Sequence, residues 1–254
     1  MRNINFLSSA LIAHRGYHNI QKGIPENSIL AFKEAIENNL IIELDVHILK
    51  DGNVAVFHDD NLMRMTGINK NIKDMNYNEL KKIRLQETNQ TIPLRVDVLK
   101  LIVGQVPLII ETKYDAKYGV LEKEVIKILQ QYNGMFAVKS FNPFSVMYFK
   151  RKFPEAIRGQ LASDFRDKKM RKIKKVFLSR MVLNFFTKPD FISYDIRALP
   201  NNRVRKLRKN KLILGWTVKS KKDLEYAQDY CDNFICENID FHTINKSEMD
   251  MKIR

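Results

Sequence analysis

The stretch IIELDVHILKDGNVAVFHDD, Ile41 to Asp60, decides the fold. Two apolar runs, Ile41–Ile48 and Val54–His58, are separated only by the residues from Leu49 to Asn53. A crossover between parallel strands needs about a dozen residues or more, so these runs cannot be parallel neighbours. Asp51-Gly52 is a hairpin turn signal instead. The second run therefore folds back on the first as a short excursion and takes no place of its own in a parallel sheet.

Further strand candidates lie on either side: Leu11–Ala13, Pro107–Lys113, Phe136–Phe141, Ile157–Ala162, Phe191–Tyr194, Leu212–Val218 and Asn233–Cys236. With Ile41–Ile48 they make eight. Helical patterns separate most of them. Ile29, Phe32, Ile36 and Leu40 recur at helical spacing, with Asn27 or Ser28 as N-cap. Leu121–Gln131, Asn202–Lys209 and Lys221–Tyr230 read the same way. Alternating strands and helices imply a parallel sheet covered by helices. Eight such units close into a TIM (β/α)8 barrel. No repeat or low-complexity linker divides the chain, so residues 1–254 read as a single barrel domain.

The composition fits. Hydrophobic residues make up 44% of the 254, enough for a sizeable core. Lys and Arg number 44 against 29 acidic residues, a net charge of +15. Such a chain suits an anionic partner: nucleic acid, a membrane surface or a phosphorylated substrate. Cys231 and Cys236 form neither a disulfide framework nor a metal spacing and read as buried thiols. No run approaches the ~18 apolar residues of a membrane span. The short apolar segment Phe6–Ala13 runs directly into His14-Arg15-Gly16 and reads as structure, not as a signal peptide. A cytoplasmic location is expected.

In a TIM barrel the reactive groups stand at the C-terminal ends of the strands. The first strand delivers His14 and Arg15 there. Alternation puts Glu43 and Asp45 on one face of the next strand, with Leu44 against the helices. Glu111 and Lys113 repeat the pattern one strand on. Strands lie ~4.8 Å apart, so Glu43, Asp45 and Glu111 can converge on one cation. Three carboxylates without cysteine point to a hard divalent ion, Mg²⁺ or Ca²⁺. Zn²⁺ fits less well, since only His14 or His58 could add nitrogen. Arg15 and Lys113 either neutralise these acids or, with a metal present, serve an anionic substrate. The excursion returns His58 to the same mouth. His18, His47 and His242 read as structural, His47 being the least secure because it shares the face of Asp45.

These residues resemble the signature of the glycerophosphodiester phosphodiesterase family. The match runs through AHRG, PENS and ELDVHILKDGNVAVFHDDNLMRMTG, and later IIETK, KSFNP and LGWTV. It is densest from Leu11 to Gly67. The resemblance implies a TIM barrel that hydrolyses glycerophosphodiesters to glycerol 3-phosphate and an alcohol with a divalent metal. It implies metal ligands at Glu43, Asp45 and Glu111, and an acid–base pair at His14 and His58. It also implies phosphate contacts from Arg15 and Lys113, and Trp216 lining the substrate pocket. The nucleophile is either water or the substrate's own glycerol hydroxyl, which would give a cyclic phosphate first. The chain departs from the family pattern at Thr112, which faces outward, and in FICEN and IPLRVDVL. The metal site is expected to survive, and the substrate preference stays open.

One segment falls outside the signature. Residues 166–188 carry nine basic residues and one acid, Asp167. Met170, Ile173, Phe177, Met181 and Phe185 form a stripe at helical spacing. The segment reads either as a barrel helix with a solvated basic face or as a docking element for an anionic membrane. The second reading favours a lysophospholipase D-like activity at a lipid surface. A non-enzymatic basic binder of nucleic acid is the remaining alternative. It leaves the two histidines, three acids and Lys113 without a purpose, and no nucleic-acid motif is present.

Overall fold

The computed structural model describes residues 2–113, 117–166 and 170–240. His242 lies outside them. Its strands are β1 Ile12–His14, β2 Ile41–Ile48, β3 Val54–Val56, β4 Leu108–Thr112, β5 Phe136–Ser140, β6 Ile157–Ala162, β7 Phe191–Asp195, β8 Leu212–Val218 and β9 Asn233–Cys236. All neighbours pair in parallel in the order β1-β9-β8-β7-β6-β5-β4-β2, and β1 pairs with β2 to close the ring. The β3 strand alone is antiparallel, bonded to β2 with Val46 opposite Val56. The eight-stranded barrel and its hairpin are those expected from Ile41 to Asp60.

The helices are α1 Ile29–Glu37, α2 Met63–Thr66, α3 Tyr77–Leu80, α4 Arg95–Ile102, α5 Val120–Leu129, α6 Pro143–Lys152, α7 Lys172–Ser179, α8 Asn184–Thr187, α9 Asn202–Arg208 and α10 Lys221–Ala227. The Ser28 hydroxyl caps α1 by accepting from Ala31 N at 3.1 Å. The helix stops before Leu40 because Asn39 turns left-handed at φ 53°. Leu40 still reaches the core.

Two apolar layers follow from strand alternation. Leu11, Ile42, Leu44, Ile110 and Val138 point outward against the helices. Ile12, Ile41, Ile109, Ala137, Phe191, Leu214 and Ile235 point inward and fill the barrel's lower half, with Phe6 and Leu7 plugging its floor. Each fully buried side chain of this kind contributes about 1.5–3 kcal/mol. Gly159 is required here, because a Cβ would lie 2.3 Å from the Phe191 ring.

The excursion is larger than a hairpin. After β3 the chain runs on to Leu94 around a small core of its own, including Phe57, Leu62, Met65, Ile72, Leu80 and Ile92. Residues 166–188 also differ from expectation. The apolar stripe is not one helix, since Met181 turns left-handed at φ 48° and separates α7 from α8.

Candidate active site

Strand register levels the site. His14 lies opposite Glu43, Asp45 opposite Glu111, and Glu111 opposite Lys139. One step above the apolar floor, the inward positions thus switch from Ile and Ala to acids, lysines and histidine. Gly16 turns the chain sharply after β1 at φ +82°, and a Cβ there would lie 2.9 Å from Ala31. This close approach fixes His14 and Arg15 at the mouth.

Glu43, Asp45 and Glu111 are buried, with one oxygen of each within 4.8 Å of the others. Lysine ammoniums stand among them. Lys113 Nζ is 2.8 Å from Asp45 Oδ1 and 2.6 Å from Glu111 Oε1. Lys139 Nζ is 2.9 Å from Glu43 Oε1 and 3.7 Å from Glu111 Oε2. The Arg15 backbone N–H donates to Glu43 Oε2 at 3.2 Å, and Asn27 Nδ2 donates to Asp45 Oδ2 at 3.0 Å. Burial works to raise the Asp45 pKa, but Lys113, His58, Arg15 and His14 outweigh it and hold the carboxyl well below its usual range. Burial likewise opposes ionisation of Glu111, and the charges of Lys113 and Lys139 again prevail. Burial tends to lower the Lys113 pKa, yet Asp45 and Glu111 keep that ammonium firmly protonated.

The donor set fits a hard cation. Three buried carboxylates each turn an oxygen into one enclosed space, where Lys113 and Lys139 already place positive charge. Oxygen-only coordination of this kind suits Mg²⁺ or Ca²⁺.

Each histidine at the mouth is bonded to a carboxylate. His14 Nδ1 lies 2.9 Å from Glu237 Oε2, and His58 Nδ1 lies 2.5 Å from Asp59 Oδ1. With Nδ1 donating to its carboxylate, each neutral ring keeps Nε2 as its acceptor nitrogen. The hydrogen bond from His14 holds the Glu237 carboxyl far below its usual range, and Lys219 Nζ at 3.1 Å assists. Asp59 is partly buried, which opposes its ionisation, but His58 and Arg64 override that. Arg64 also binds Glu26 at 2.7 Å, and Glu26 accepts from Arg15 Nη1 at 2.7 Å. A chain of alternating charge thus links His58 to Arg15.

His47 stands two residues beyond Asp45 on β2 and donates from Nε2 to the His58 carbonyl at 3.2 Å. Burial lowers its pKa, so it is a neutral brace. His18 sits nearer the chemistry than expected. Burial lowers its pKa, and Glu237, Glu26 and His14 all act on it. Trp216, half-buried on β8, packs on the inward apolar layer and meets Phe141 edge-on at 5.6 Å, and Phe141 in turn meets Phe165 at 5.7 Å. Thr112 faces outward as expected, its hydroxyl 2.9 Å from that of Ser145 on α6.

Lys139, Glu26, Asp59, Glu237 and Phe141 were not singled out in the sequence, and Asn27 was read only as a candidate helix cap. Lys139 had a signal, since it is in phase with Ala137 on β5. Glu237 had the same signal, being in phase with the inward Ile235 at the end of β9, but its meeting with His14 follows only from barrel closure, which sets β9 beside β1.

A carboxylate cage and two buttressed imidazoles at the C-terminal mouth of a TIM barrel fit the class of phosphoric diester hydrolases. Comparison with known proteins narrows it. Residues 14–240 match the model of the glycerophosphoryl diester phosphodiesterase family. A glycerophosphodiester phosphodiesterase of Caldanaerobacter subterraneus subsp. tengcongensis is 35% identical over 166 residues, 61% of this chain and 67% of that protein. The lysophospholipase D GDPD1 of Homo sapiens is 34% identical over 121 residues, 42% of this chain and 38% of that protein. A phosphodiesterase of Oleispira antarctica, solved in complex with the product sn-glycerol-3-phosphate, aligns with TM-score 0.77 and 21% identity, covering 91% of this chain and 93% of its own. The chain belongs to the glycerophosphoryl diester phosphodiesterase family.

Proposed function

We propose that this chain, as one barrel domain over residues 1–254, hydrolyses glycerophosphodiesters to glycerol 3-phosphate and an alcohol. The observation that carries the proposal is the buried triad Glu43, Asp45 and Glu111 beneath two histidines. The product bound to the Oleispira antarctica relative supports the substrate class. Mg²⁺ or Ca²⁺ on the triad would neutralise the phosphoryl group and stabilise charge developing in the transition state.

The chain's own residues do the rest. Arg15 and Lys113 attract and orient the anionic phosphoryl group. One of His14 and His58 takes the proton of the nucleophile through Nε2, and the other gives a proton to the leaving alkoxide. Glu237 and Asp59 keep the two rings in the tautomer that allows this and favour the imidazolium when it forms. Trp216 and Phe141 flank the organic part of the substrate.

Hydrolysis of lysophospholipids at a membrane surface stands second. It is favoured by the large apolar side chains that residues 166–188 leave in solvent. Turnover of glycerophosphocholine, glycerophosphoethanolamine, glycerophosphoglycerol and lysolipids, with and without chelator, separates the two. Cation-dependent release of glycerol 3-phosphate is expected, and full activity in excess chelator overturns the cation's role. Phosphorus NMR of the early products distinguishes a cyclic phosphate from direct attack by water.

A further inference from the structure

The connection from β6 to β7 leaves the catalytic end of the barrel and contains a helix that is turned inside out. The α1 helix buries Ala31, Phe32 and Ala35, and α5 buries Leu121, Val125, Ile126 and Leu129. The α7 helix buries nothing fully. Its apolar residues Ile173 and Val176 face solvent, Ile173 being 86% exposed, and Phe177 is partly exposed at the edge of a cleft. Lys175, Leu178 and Ser179 are its half-buried positions. The outward apolar surface continues through Val182 into α8 with Phe185, 77% exposed, and Phe186. Arg171, Lys172, Lys174, Arg180 and Lys188 border it, all exposed.

The position of this surface relative to the mouth is fixed by packing. Phe177 and Met181 share a small cleft with Pro143, the first residue of α6 at the catalytic end of β5. The neighbouring Phe144 is also exposed and meets the exposed Tyr118 ring at 6.4 Å. An apolar rim with a basic border thus lies beside the catalytic mouth.

We infer that α7 and α8 form a docking face for an anionic lipid bilayer, with Ile173, Val176, Phe185 and Phe186 entering the headgroup layer. This deepens the proposed phosphodiesterase function and rests on it only in placing the mouth against lipid headgroups. A helix with an exposed apolar stripe flanked by Lys and Arg matches both layers of such a surface, the acyl boundary and the anionic headgroups. A second copy of the chain fits poorly, since each carries a net charge of +15 and the contact would bring two basic borders together. Nucleic acid would use the basic border but not the apolar stripe.

Sedimentation of the full chain with vesicles tests this. The vesicles are phosphatidylcholine alone or phosphatidylcholine with phosphatidylglycerol. Binding should be at least about tenfold tighter with phosphatidylglycerol and should weaken as salt rises. Phe185→Ser with Phe186→Ser, and separately Lys172→Glu with Lys174→Glu, should each weaken it about tenfold or more. Turnover of soluble glycerophosphocholine should be unchanged in both variants, which separates failure of docking from failure of the active site. Equal binding to both vesicles, or variants that bind like the parent, would overturn the inference. So would a concentration-dependent dimer that the phenylalanine changes dissolve.

Discussion

Glu43→Gln tests the carboxylate cage by stability as well as by activity. Glu43 is 0% exposed, and its ion partner Lys139, at 2.9 Å, is 3% exposed. Opposite charges ~4 Å apart attract by about 4 kcal/mol at an effective dielectric near 20. Breaking a buried pair costs about 3–5 kcal/mol, because the surviving charge is left uncompensated. Lys139 keeps Glu111 at 3.7 Å, so the lower end applies, about 3 kcal/mol. At about 2–4 °C per kcal/mol for a chain of this size, Tm in chelator should fall by roughly 6–12 °C. Cation adds a second readout. At 100 times its Kd it should stabilise the parent by about 2.7 kcal/mol, and the variant should lose most of that increment. Thermal melts followed by circular dichroism, with EDTA and with Mg²⁺, read both effects. A variant that melts with the parent in EDTA removes the weight placed on the Lys139 pair. A variant that keeps the full cation increment removes Glu43 from the cation site.

His14→Ala and His58→Ala should each reduce turnover by about 10²–10⁴-fold with near-parental melting, measured by steady-state kinetics and circular dichroism. Glu237→Gln should lower kcat by about tenfold with little change in KM, since it leaves the His14 ring less firmly oriented. The folded pKa of Glu237 is depressed, so its contribution to stability is complete above the ordinary glutamate value of about 4.3 and is lost as pH falls below it. Tm should therefore hold steady from about pH 7 to 5 and drop below about 4, less steeply in Glu237→Gln. Gly16→Ala should cost about 2–4 kcal/mol in chemical denaturation, combining a left-handed φ with a clash on Ala31, and should depress kcat by displacing His14.

The strands were legible because each is a short apolar run in a regular alternation with helices, and Asp51-Gly52 removed the one surplus strand. Period-two alternation then placed Glu43, Asp45, Glu111 and Lys113 correctly inside. Lys139 obeys the same rule, yet nothing local distinguishes a buried lysine from a strand-end lysine in solvent. Glu237 and His14 are 223 positions apart and meet only because the barrel closes. Helical spacing failed at residues 170–185. Periodicity records which residues share a face but not where the chain turns, nor whether that face looks inward.

The two imidazoles are anchored to different hydrophobic cores. His14 stands on the barrel wall, whereas His58 is carried by the excursion with its separate cluster around Phe57, Leu62 and Met65. Loosening the smaller cluster would disarm one proton carrier while the ion cage stayed whole. Cation affinity and turnover are thus separable properties of this molecule. Substitutions at Leu62 or Ile72 should abolish the second before the first.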